Sequence, residues 1–102
     1  MIEYYKLEGK IAVPCSPDEG LEQWSKNRRV AESMAGDVRV STVFMPMNHA
    51  YDDGPPMIFE TMIFGGEHDQ WQERCSTWDQ AETMHAEACK LANVPYDAPG
   101  TR

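Results

Sequence analysis

Between residues 37 and 66 the chain reads DVRVSTVFMPMNHAYDDGPPMIFETMIFGG, and no other stretch limits the fold as much. Its first run, 38–45, is rich in β-branched residues, and Val38, Val40, Thr42 and Phe44 alternate onto one face of a strand. Its second run, 57–64, is apolar on both faces except at Glu60 and Thr61. A strand of that kind belongs in the centre of a sheet or beneath an interface. The two runs predict an antiparallel hairpin whose long polar loop holds Asn48, His49, Asp52 and Asp53. Glu60 stands out, because a carboxylate buried in mid-strand is costly unless it is paired or protonated. Which face the helices cover is left open, since a slip of one residue in register exchanges the faces.

The flanks supply the remaining elements. Residues 2–7 and 10–13 form a small hairpin about Glu8 and Gly9, and Pro14 ends its second strand. Ser16, Pro17, Asp18 and Glu19 make a capping box with proline at the first helical position. The helix that starts there is expected to carry Leu21, Trp24, Ala31, Met34 and Ala35 on its core side and to stop at Gly36. Lys26, Arg28 and Arg29 form a solvated basic face. Residues 71–75 read as a short strand, and Ser76 as the N-cap of a second helix with Asp79 at N3. That helix runs to about Asn93, with Trp78, Ala81, Met84, His85, Ala88 and Ala92 inward.

The sum is a single α+β domain over residues 1–93, of order ββαβββα, followed by a poorly ordered tail over 94–102. An antiparallel sheet of about four or five strands is expected, packed on one face by both helices. The expected core is Leu21, Trp24, Ala31, Val40, Phe44, Phe59, Ile63, Trp78, Ala81 and Ala88.

Composition narrows the function. Seventeen acidic against nine basic side chains give a net charge of −8, which repels phosphate backbones and disfavours direct nucleic-acid binding. The same charge suits a basic protein surface, or serves solubility alone. No run approaches the roughly 20 apolar residues of a membrane span. The N-terminus lacks the basic and apolar regions of a signal peptide, and Cys15, Cys75 and Cys89 are an odd number suited to free thiols, so a cytoplasmic setting is expected. Cys15 and Cys75 each precede a helix cap, where a thiol becomes a reactive thiolate or remains a small buried hydrophobe. Gly65 and Gly66 lack the lysine of a phosphate loop, and no cofactor is implied.

One polar constellation remains: His49, Asp52, Asp53, Glu60, His68, Asp69, His85 and Cys89. Of these, His49, Asp52, His85 and Cys89 are the candidate metal ligands, with His85 and Cys89 four apart on one helical face. No HExxH or CxxC spacing ties them together. Alternatively, Glu60 pairs with His49 or His85 as a structural acid and imidazole, fixing how helix, loop and sheet meet. Catalytic residues are not assigned, because no nucleophile or oxyanion-binding loop accompanies the pair.

The words VSTVF, a histidine after a short interval, GPP, FETMIFGG and QERCSTWDQA with His85 beyond resemble a small uncharacterised family of proteins encoded by bacteriophages and prophages. The resemblance spans residues 38–90, with Asn48 where an acid and Cys75 where an aromatic residue are expected. It implies a phage gene product acting in the cytoplasm of an infected bacterium, with no assigned activity. The function expected is a non-enzymatic accessory protein that binds a host or phage protein, through its acidic surface, or that self-associates as a homodimer. Met45, Met47, Asp52 and Asp53 are the candidate contacts, because methionine-rich surfaces adapt to partners. The alternative is a small metal-dependent or nucleotide-handling enzyme built on His49, Asp52, Glu60 and His85.

Overall fold

A computed structural model describes residues 3–26, 28–48 and 54–96. In order the elements are β1 (Glu3–Glu8), β2 (Ile11–Cys15), α1 (Pro17–Trp24), β3 (Arg29–Ala35), β4 (Val38–Phe44), β5 (Met47–Asn48), β6 (Phe59–Phe64), β7 (Gln72–Cys75) and α2 (Trp78–Ala92). The fold is α+β with antiparallel pairing throughout, in two sheets rather than one. The smaller has strand order β2-β1-β5 and the larger β3-β4-β6-β7. The central hairpin is β4 and β6, paired from Arg39 opposite Phe64 to Phe44 opposite Phe59.

The main departure from expectation is β3. Residues 29–35 form a strand, so α1 ends at Trp24 with Ser25 as its C-cap. Ala31 and Ala35 fit both a helical i, i+4 stripe and a strand's period of two, and the stripe misled. As a strand, Ala31, Ser33 and Ala35 lie opposite Thr42, Val40 and Val38, and they cover the edge of β4 that would otherwise be unpaired. Gly36 is not a helix stop. At φ +57° it is the first residue of the two-residue loop that joins β3 to β4.

The two helices also cover different sheets. The α2 helix lies across the larger sheet, whereas α1 packs on β1. That contact turns on Gly20, where an added Cβ would lie 2.6 Å from Tyr4 Cδ1. Gln23, one turn further on, is buried, and its Oε1 accepts a bond from the Leu7 backbone N–H at 3.3 Å. Glu19 closes the predicted capping box and meets Lys6 Nζ at 2.5 Å. With Gly20 and Gln23 turned inward, Leu21 and Trp24 are 55% and 39% exposed and are not core residues. Arg28 stacks over the Trp24 ring at 4.2 Å and donates to the Phe44 carbonyl, so this part of the basic run ties α1's exit to β4.

The core lies between the larger sheet and α2. Phe44, Phe59, Ile58, Ala81 and Tyr5 form one apolar cluster, with the Phe44 and Phe59 rings 5.4 Å apart. Val40, Ile63, Ala88, Cys89 and Val94 form the other. Val40, Phe44, Phe59, Ile63, Ala81 and Ala88 are buried as expected, while Ala31 and Trp78 are half-buried. The expected tail begins too early at 94. Asn93 adopts a left-handed C-cap at φ 60°, Val94 is buried, and Tyr96 packs on the His85 ring; residues 97–102 lie outside the described residues. The α2 cap is Thr77, not Ser76, with Gln80 at N3 closing its box.

Gly20→Ala tests the α1 contact. Helix propensity alone would favour alanine by about 1 kcal/mol. The clash with Tyr4 should outweigh it by a net of about 1–3 kcal/mol, which lowers the melting temperature by several degrees in a circular-dichroism melt. An unchanged or higher melting temperature would show that α1 does not rest on β1.

Candidate functional site

His85 lies on the inward stripe of α2 between Ala81 and Ala88, and none of its side chain reaches solvent. Beneath it, Thr42 of β4 and Thr61 of β6 face one another in register, and Ser33 of β3 lies alongside. The His85 Nδ1 is 2.7 Å from Thr42 Oγ1 and Nε2 is 2.9 Å from Ser33 Oγ. Thr42 Oγ1 is in turn 2.5 Å from Thr61 Oγ1. A neutral imidazole donates through one nitrogen and accepts through the other, and hydroxyls rotate to suit, so every member of the chain is satisfied. Burial pushes the His85 pKa down from 6.5 to about 4. Cys89, one turn on, is buried, and its thiol pKa is pushed up by burial against a hydrogen bond from Ser33.

This layer contains a serine against an imidazole, yet it is closed. Both nitrogens are occupied, the residue is fully covered, and Tyr96 packs on the ring with centroids 4.7 Å apart. It joins the two apolar clusters and leaves no room for a reacting group.

Glu60 is elsewhere. Strand alternation sends Thr61 beneath α2 and Glu60 to the opposite face of the sheet, so the expected Glu60 and His85 pair does not form. Instead Glu60 Oε2 accepts from Arg74 Nε at 3.0 Å and from Gln72, both on the neighbouring β7. The carboxylate is therefore paired, as its position demands, but by a cross-strand arginine. His49, Asp52 and Asp53 lie outside the described residues. Among the described residues no three His, Cys, Asp or Glu side chains converge as metal ligands.

The other candidates have structural places. Asn48 is buried, donates to Glu3 Oε1 at 3.0 Å and accepts from the Met57 N–H at 3.4 Å, pinning both ends of the central loop. Met45 and Met47 are half-buried, Met45 bonded through its N–H to the Ile58 carbonyl and Met47 paired with Tyr4. Asp69 Oδ1 accepts from the Gly65 N–H at 2.6 Å and closes the turn after β6. Burial raises the pKa of the Cys15 and Cys75 thiols, which opposes the reactive-thiolate reading of either.

The second face of the larger sheet, opposite α2, is partly accessible. Three cross-strand rows cross it: Met34, Arg39 and Phe64; Glu32, Ser41, Met62 and Gln72; Val43, Glu60 and Arg74. The Arg39 guanidinium lies over the Phe64 ring at 4.5 Å and bonds Glu32 at 3.2 Å. Met34 is 63% exposed. Sequence reasoning missed this residue because it placed Met34 on the core side of a helix; the alternation of residues 31–35 was the available signal. Comparison with family models, with curated proteins and with solved structures returned no match.

A pH test follows from His85. Its folded pKa lies below its unfolded value, so the unfolded chain binds the extra proton between about pH 6.5 and 4. The layer's full contribution is present above pH 6.5 and is lost as pH falls towards 4, by about 3 kcal/mol in all. Urea unfolding at pH 7 and pH 4.5 should show a larger drop in stability for the parent chain than for His85→Leu. Equal drops would show that the imidazole is not buried neutral.

Proposed function

We propose that the protein is a non-enzymatic accessory protein that works by contact, and that its working surface is the second face of the larger sheet, docked on the same face of another copy. The observation that carries this reading is that face itself: a four-stranded sheet with α2 across one side, while on the other Trp24, Lys26 and Arg28 flank Ser41 and Val43 at one end and exposed Met34 lies in the same face as half-buried Val43, Met62 and Phe64. Exposed Met34 and the accessible parts of Val43, Met62 and Phe64 gain by excluding water against the same residues of a second copy.

Charge supports a second copy as the occupant. The chain carries −8, so two copies repel over most of their surfaces. On this face Arg29, Arg39 and Arg74 offset Glu32 and Glu60 in mutual ion pairs, so it lacks the acidic excess of the chain as a whole. A two-fold stack presents the same patch twice and needs no other partner. The resemblance to phage-encoded proteins adds the setting, the cytoplasm of an infected bacterium. No described helix is long and apolar enough to cross a membrane, and the net charge opposes nucleic acid as the partner.

Light scattering on a gel-filtered sample should give twice the 11.6 kDa chain mass, and Met62→Glu should return it to a monomer that keeps the parent's circular-dichroism spectrum, while the parent's melting temperature, unlike the variant's, rises with protein concentration. A monomer at every concentration would overturn self-association.

A further inference from the structure

A second surface lies at the far edge of the larger sheet. There α2 runs back along β7, and the two enclose a half-open groove of about 530 Å³. Met57, Cys75 and Met84 give it an apolar lining, and Glu73, Asp79 and Glu87 give it acids. Arg74 is also present, but its guanidinium is held by Glu60 on the opposite face of the sheet.

One wall of the groove is an edge strand, since β7 pairs with β6 and with no other described strand. The Ile63 N–H donates to the Trp71 carbonyl at 3.0 Å. By antiparallel alternation, the backbone groups of Glu73 and Cys75 then point to β6 and those of Gln72 and Arg74 point outward. An exposed edge of this kind is a template for another strand.

We propose that this groove binds an extended peptide segment with two basic residues four apart, added to β7 as a fifth strand. The spacing follows from two periodicities. Asp79, Thr83 and Glu87 lie four apart on α2, hence about 6 Å per step along its axis. Same-face side chains on a strand recur every about 6.7 Å. A strand laid along β7 therefore brings residues i and i+4 level with Asp79 and Glu87, and residue i+2 level with Thr83. Lysine and arginine suit the outer two positions, because their aliphatic stems cover Met84 and Cys75 while their charged ends reach the acids. A small residue suits the middle position. Backbone bonds from Gln72 and Arg74 supply the sequence-independent part of the affinity, as in other strand-addition modes. This site is independent of the open face, which lies on the other side of the sheet.

The test uses fluorescence anisotropy with a labelled peptide of sequence Val-Lys-Val-Ser-Val-Lys-Val against the purified full chain. Saturable binding is expected, weakened about tenfold by Glu87→Lys and less by Glu87→Gln, both at an exposed helical position. A peptide of the same composition with its lysines adjacent, and one N-methylated on alternate amides, should each bind at least about tenfold more weakly. Equal binding of the adjacent-lysine peptide would reduce the effect to net charge and overturn the proposal, as would equal binding of the N-methylated peptide or absence of binding. Met62→Glu should bind the peptide like the parent, so failure of self-association leaves this test intact.

Discussion

A histidine with no solvent contact must have both ring nitrogens satisfied by the protein, and the larger sheet is arranged around that demand. His85 takes Thr42 on one side and Ser33 on the other, and Thr61 completes the chain. The three hydroxyls come from three adjacent strands, so the layer ties β3, β4 and β6 to α2 at one level. A slip of one residue that brought Val43 in place of Thr42 beneath the helix would strand Nδ1, with a desolvation penalty of about 1–3 kcal/mol. The polar layer therefore specifies register, while the apolar clusters on either side supply the bulk of the burial.

That arrangement decides where contact chemistry can occur. The reactive-looking groups on the α2 side are consumed internally, because His85, Ser33, Thr42 and Thr61 partner one another. Glu60 is spent on the opposite face in its pair with Arg74. Among the described residues, the outward surface includes a mixed apolar and ionic sheet face and an acid-lined groove beside an edge strand.

Much of this architecture is legible in the sequence. The capping box at Ser16, the inward stripe of α2 and the alternation of Val38 to Phe44 are local patterns, each readable within a few residues, and each is present. The α2 cap moved only one residue, because Ser76 and Thr77 are both cap formers and Gln80 chose between them. Less legible was the stretch 29–35, where small residues satisfy two periods at once and only the need of β4 for a second neighbour decides. Leu21 and Trp24 failed as core residues for a related reason: the closest approach of α1 to β1 is made through Gly20, and a glycine carries no hydrophobic signal.

By itself the sequence determined most of the elements, though not the strands at 29–35 and 47–48: a capped helix within one residue of each expected start, a central antiparallel hairpin, and a core led by Val40, Phe44, Phe59, Ile63, Ala81 and Ala88. These depend on propensities and periodicities that act over one or two turns of chain. Only the tertiary structure decided the partners. His85 met hydroxyls rather than Glu60, Glu60 met Arg74, and the helices went to separate sheets, because each outcome depends on which face of a strand lies beneath which helix. Facing is a property of register between distant segments, and no local pattern encodes it.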